Sequence, residues 1–166
     1  RKIPREARSR GPVPGTGQQD HDRYTSMKIG IIIGSRSDLP IIEKAEAQLK
    51  QFGIAYDITV ASAHRTPKKV EAYARMAEKK YDLIIAAAGM AAALPGVIAA
   101  QTILPVIGIP IHTKALGGHD ALFSIVQMPP GVPVASVAIC VLGCETMSGS
   151  ARPALKALTM GAQPAA

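Results

Sequence analysis

The sequence predicts an α/β domain with a central parallel sheet and helices on both faces. Two observations carry this. Short apolar runs alternate with segments of helical spacing, in the order β-α-β-α-β-α-β-α-β. The runs are also continuously apolar, as expected of strands covered on both faces. The chain has 166 residues, 48% hydrophobic and 19% charged. That fits one domain and is too apolar for a disordered chain.

Residues 1–26 are polar, Pro/Gly-rich and aperiodic, and are expected to be a disordered N-terminal extension. The texture changes at Met27, read as the natural start. The domain is expected over residues 27–140. The β-branched run 28–34 (KIGIIIG) predicts a buried strand. A loop follows, with Ser37 or Asp38 as cap and Pro40 in the first turn of a helix over 39–52. Ile41, Ala45, Gln48/Leu49 and Phe52 mark its apolar face, and Gly53 ends it.

Residues 55–61 predict the second strand. Thr66 and Pro67 cap and open a helix running to about residue 80. Residues 83–88 predict the third strand and 94–102 a short helix. Residues 105–110 form the fourth strand, 121–128 a helix, and 134–140 the fifth strand. The last segment, 141–166, holds only a weak helix over 149–160.

Composition narrows the function. Aromatics are 4% with no Trp, which excludes a nucleic-acid surface built on stacked rings. The net charge is +7, yet residues 1–26 hold six Lys/Arg against three Asp/Glu. The remaining excess is mild and suits an anionic small molecule. Cys140 and Cys144 form no disulfide framework or metal site and read as buried, idle thiols. From residue 83 to 113 there is no charged side chain. Gly89, Pro95-Gly96, Pro105, Gly108 and Pro110 interrupt that stretch, so buried strands and a helix are expected rather than a membrane span. No apolar h-region follows the basic N-terminus, so no secretory signal is expected.

In such sheets the ligand sits beyond the carboxyl ends of the strands. Gly34-Ser35-Arg36-Ser37-Asp38 leaves the first strand with a glycine, hydroxyls and helix-start amides that suit phosphate. It is neither a dinucleotide fingerprint nor a Walker loop. In Ser62-Ala63-His64-Arg65-Thr66-Pro67, Arg65 can grip phosphate oxygens and His64 can move a proton near neutral pH. Gly89–Leu94 and Gly117-Gly118 offer backbone and small side chains that can close around a flat ligand. His112 and His119 read as surface residues.

Those two loops, with Leu94-Pro95-Gly96 and Ser124-Ile125-Val126-Gln127-Met128-Pro129 in this order, closely resemble the class I N5-carboxyaminoimidazole ribonucleotide mutases, the catalytic-subunit type of phosphoribosylaminoimidazole carboxylase. The resemblance spans residues 28–139. It implies a flavodoxin-like three-layer α/β/α sandwich, a cytoplasmic homo-octamer, and no metal or organic cofactor. It implies transfer of a carboxylate from the exocyclic nitrogen of N5-carboxyaminoimidazole ribonucleotide to ring carbon C4, in de novo purine (IMP) biosynthesis. It also implies a functional link to the synthetase that makes that substrate, and no nucleic-acid or membrane partner. Carried over, His64 is the general acid/base. Ser35 and Arg65 bind phosphate and Asp38 binds ribose. Ser37, Ser62, Ala88, Gly89 and Ala91 line the substrate. The alternatives are a class II-type carboxylase using CO2 directly and a nucleotide-binding paralogue with reduced activity. Met90 and Ala93 stand where the family has glycine and histidine, and the segment after Ile139 departs from the family's Asn-Ala-rich helix.

Overall fold

Four isoleucines of KIGIII, Ile29, Ile31, Ile32 and Ile33, are fully buried in strand β1 (Lys28–Ile33). Both faces of this strand are therefore covered, which is why its sequence does not alternate. The computed structural model describes residues 27–140. The expectations for residues 1–26 and 141–166, including Cys144 and the helix over 149–160, lie outside the described residues.

After β1 come helix α1 (Leu39–Gln51), strand β2 (Ala55–Val60) and helix α2 (Pro67–Ala77). Strand β3 (Leu83–Gly89), helix α3 (Leu94–Ala99), strand β4 (Val106–Ile111), helix α4 (His119–Val126) and strand β5 (Ala135–Ser136) complete the described part. The sheet order is β2-β1-β3-β4-β5 and every pairing is parallel. This is the flavodoxin-like order, in which the chain reverses direction across the sheet between β1 and β3.

Two apolar layers flank the sheet. On one side Ile32, Ile84, Ala86 and Val106 pack with Val70, Tyr73 and Ala74 of α2, Leu94 and Ile98 of α3, and Ala121 and Ile125 of α4. On the other side Ile29, Ile31, Ile33, Ile85 and Ile109 pack with Ile42 and Leu49 of α1. Ile42 is buried where the sequence pattern put Ile41, which is only partly covered.

Four element boundaries differ from expectation. Helix α2 stops at Ala77, where the chain tightens: the amides of Lys79 and Lys80 turn back three residues, to the Met76 and Ala77 carbonyls at 3.2 and 2.9 Å. That turn brings the Tyr81 ring against Tyr73, with centroids 6.0 Å apart. The expected helix over 94–102 is only α3, and the expected helix over 121–128 starts and ends two residues earlier as α4. The expected strand over 134–140 is β5 followed by an isolated bridge from Cys140 to Ile111. Pro110 explains the gap. Its carbonyl accepts from the Cys140 amide at 2.8 Å, so this edge of Pro110 faces the fifth strand. A strand residue's N–H points to the same side as its C=O, and proline has none to give. Cys140 is buried, as expected of it.

Gly108 lies where α4 and α3 meet β4. A methyl group there would come within 2.5 Å of Ile125 Cγ2 and 3.3 Å of Pro95 Cβ. Gly108→Ala is expected to destabilise the domain by about 1–3 kcal/mol through overpacking. Urea unfolding checks this, and an unchanged midpoint would show that α4 can move aside freely.

Candidate active site

The carboxyl ends of β1, β2 and β3 lie side by side, so the loops after them meet. The Gly34 amide donates to the Ala87 carbonyl at 3.2 Å, tying the end of β1 to β3. The Arg65 guanidinium donates to the Gly34 carbonyl at 3.1 Å, tying the β2 loop to the β1 loop. A methyl at Gly34 would lie 4.0 Å from Ala88 Cβ and from an Asp38 carboxylate oxygen. Ser35–Asp38, Arg65 and Ala88 are thus gathered around Gly34.

The β1 loop closes on itself. A single 3-10 turn (Arg36–Asp38) stands between the strand and α1. Ser35 caps this turn, while Asp38 holds the N-cap position of α1, one of the two residues expected there. The Asp38 side chain makes no capping bond to α1. The Ser37 amide donates to Ser35 Oγ at 3.3 Å and the Ser37 hydroxyl does so at 2.8 Å. The Ser37 hydroxyl also lies 3.2 Å from Asp38 Oδ1. It has one proton, which serves either Ser35 Oγ or the Asp38 carboxylate. Burial raises the Asp38 carboxyl above its ordinary range, although Ser37, the Ser35 backbone and the Arg65 charge each pull it down.

The β2 loop presents His64 and Arg65, both exposed. Its closure rests on Ser62 and Thr66. The Ser62 amide donates to Thr66 Oγ1 at 2.9 Å, and the Thr66 hydroxyl donates to the Ser62 carbonyl at 3.1 Å. The Arg65 amide donates to Ser62 Oγ at 3.2 Å. Thr66 was expected to cap α2; its side chain makes no capping bond and turns back instead. Among the described residues His64 makes no hydrogen bond, and Arg65 has no carboxylate within ion-pair distance.

The β3 loop supplies the uncharged wall. Ala88 is buried, Gly89 half-buried and Ala91 exposed. Gly89 backs onto the next loop, since a methyl there would meet Thr113 Cγ2 at 3.0 Å. Met90 adopts φ +56°, the left-handed region. A non-glycine residue there is costly. A glycine would take this backbone without that cost. His112 and His119 are exposed, as expected, and His119 Nδ1 is 2.9 Å from the Leu116 carbonyl.

Sequence reasoning missed two residues. Lys69 Nζ donates to the Val60 carbonyl at 2.8 Å, which places a cation at the end of β2 behind Arg65. Thr66 is the other, and its signal was the serine four residues before it.

Asp38 gives a pH test. Its folded pKa lies above the unfolded value, so ionising it opposes folding. That penalty is absent below the unfolded pKa and grows as pH rises through the folded one. Asp38→Asn is therefore expected to hold or raise Tm at pH 7, with no such advantage at pH 3. A lower Tm for the variant at pH 7 would show that the bonds to the carboxylate outweigh its burial.

Comparison with known proteins agrees with this geometry. The chain is 58% identical over 112 residues to the N5-carboxyaminoimidazole ribonucleotide mutase of Pyrococcus horikoshii, covering 67% of this chain and 63% of that protein. It is 57% identical over 112 residues to the phosphoribosylaminoimidazole carboxylase of Saccharomyces cerevisiae, covering 67% of this chain and 20% of that longer protein. The chain thus spans less than two-thirds of these relatives. The crystal structure of Treponema denticola PurE matches with a TM-score of 0.68 at 29% identity, over 80% of each chain. The family model of AIR carboxylase covers residues 28–163, continuing beyond residue 139 where the motif resemblance ends, and the chain belongs to that family.

Proposed function

We propose that this chain moves the carboxylate of N5-carboxyaminoimidazole ribonucleotide from the exocyclic nitrogen to ring carbon C4, giving 4-carboxy-5-aminoimidazole ribonucleotide in purine biosynthesis. The observation that carries this reading is the arrangement at Gly34. Arg65, with no carboxylate within ion-pair distance among the described residues, and the hydroxyl of Ser35 are gathered with Ala88 around Gly34, and Gly89 and Ala91 follow Ala88 along the chain. The first two suit phosphate. The wall suits a neutral, transient CO2.

The roles follow. Arg65 and Ser35 hold the phosphate, with charge-assisted bonds worth roughly 1.5–3 kcal/mol each. Asp38 holds the ribose, and Ser37 and Ser62 keep the two polar loops in shape. As the N–CO2 bond breaks, its electron pair stays on nitrogen, which takes a proton from His64. C4 then attacks CO2, and the proton displaced from C4 returns to His64. One group thus gives and takes a proton, and the cycle closes without net charge. The mutases at 58% identity support this reading over the class II-type carboxylase.

We also propose a homo-oligomer, an octamer by family resemblance, acting in the cytoplasm and linked to a synthetase that supplies the carbamate. Phe123 and Val126 lie on one face of α4 at 58% and 49% exposure, and Leu116 in the preceding loop is at 62%. Apolar side chains this exposed on neighbouring segments call for a protein cover. Among the described residues no helix is long and apolar enough to cross a membrane.

Two measurements test these readings. His64→Asn is expected to lower turnover of the carbamate about 10²–10⁴-fold, with nucleotide affinity within about tenfold. Assaying the wild type with the carbamate, and separately with the amine plus bicarbonate, separates mutase, carboxylase and inactive binder. Wild-type-like turnover by the variant would remove His64 from the mechanism. Light scattering at micromolar concentration is expected to give several times the 17.3 kDa chain mass, and a monomer would overturn the assembly.

A further inference from the structure

We infer that Thr66 is a positioning residue that fixes His64 for proton transfer, a role that rests on the function proposed above. The turn from Ser62 to Thr66 is held by four hydrogen bonds, and Thr66 takes part in three. The Ser62 amide donates to Thr66 Oγ1, and the Ser62 carbonyl accepts both the Thr66 hydroxyl and the Thr66 amide, the last at 2.9 Å. The fourth runs from the Arg65 amide to Ser62 Oγ. Ser62 and Thr66 thus clasp the two ends of the segment that presents the histidine.

The clasp stands on a rigid base. Pro67 opens α2, and a residue before proline is kept out of the helical region. Thr66 lies outside it, at φ −136° and ψ 54°. Val70, Tyr73, Ala74 and Ala77 lock α2 onto the sheet. Position therefore passes from the core through α2 and Pro67 to Thr66, across the clasp to Ser62, and so to His64.

His64 depends on this route more than its neighbour does. Arg65 has a second anchor, since its guanidinium reaches the Gly34 carbonyl at 3.1 Å. Its long side chain can absorb a backbone shift. The imidazole of His64 has no hydrogen bond among the described residues, so the backbone alone aims it. Loosening the clasp should therefore impair proton transfer before it impairs phosphate binding.

Thr66→Val keeps the branched shape and removes the hydroxyl. Because the loop is exposed, water can replace the lost partners and the fold should persist. A misplacement of about 1 Å near the chemistry costs on the order of a hundredfold. We expect kcat to fall roughly ten- to a hundredfold with KM within about threefold, and Thr66→Ser to restore kcat to within about threefold of wild type. Hydrogen-exchange mass spectrometry of the wild-type chain should show protection at the Ser62 amide that Thr66→Val removes. A valine variant with wild-type kcat would overturn the inference. So would a loss confined to KM, or a serine variant as impaired as the valine. If the wild-type chain does not turn over the carbamate, the proposed function falls alone. Equal exchange at Ser62 in wild type and Thr66→Val would then overturn the clasp itself.

Discussion

Strand β1 is hydrogen-bonded along both edges, to β2 on one side and β3 on the other, and the rest of the molecule is arranged by that double pairing. A strand so placed must be apolar on both faces, which Ile29, Ile31, Ile32 and Ile33 supply. Because all pairings are parallel, the strands end on the same side of the sheet. The loops that follow β1, β2 and β3 therefore crowd together where the chain reverses. Gly34 sits at that meeting point. Its amide ties β3 and its carbonyl ties Arg65, so three loops are referenced to one residue.

The two ends of the sheet treat charge in opposite ways. At the amino end, Asp57 lies 3.0 Å from Lys28 Nζ and 2.9 Å from Lys80 Nζ, and accepts from the Tyr81 hydroxyl at 3.0 Å. These donors hold its carboxyl well below the usual range. Charges there satisfy one another and serve the fold. At the carboxyl end, Arg65 is bonded to a carbonyl, which orients the cation without neutralising it. An oriented cation held by a carbonyl, beside the half-buried Ser35 hydroxyl, suits an anionic ligand. The contrast separates a structural ion cluster from the proposed substrate site without reference to any motif.

Much of this was legible in the sequence, for reasons that differ by element. The run KIGIII reads as a buried strand because β-branched residues covered on both faces leave no polar alternation. The loops 34–38 and 62–67 stand out because they carry polar groups between apolar runs. Element ends were less legible. Residues 78–80 suit a helix, yet the chain tightens into i→i−3 turns after Ala77, and Tyr81 packs on Tyr73, a residue eight positions earlier. The fifth strand fails where Pro110 withholds a donor from its neighbour, a fact about the partner rather than about residues 134–140. Thr-Pro before a helix reads as a forward cap. Whether the hydroxyl turns forward to α2 or back to Ser62 depends on where Ser62 lies in space.

Met90 and Ala93 show how a small-residue wall tolerates change. Met90 keeps the left-handed backbone that a glycine would adopt without cost, and its side chain is 66% exposed. The strain therefore falls on one residue while the methionine points away from the buried Ala88 and Ala92. Ala93 sits at the start of α3, half-buried, and adds no polar group. On the proposed reaction this leaves the wall still less polar. Water competing for CO2 has fewer partners there, and the proton work rests on His64 alone. A site with one proton carrier tolerates little wander in that carrier. On the proposed reaction, the polar clasp that holds the His64 loop and the apolar wall after β3 answer the same physical demand, which is to hold a short-lived neutral molecule against C4 until the bond forms.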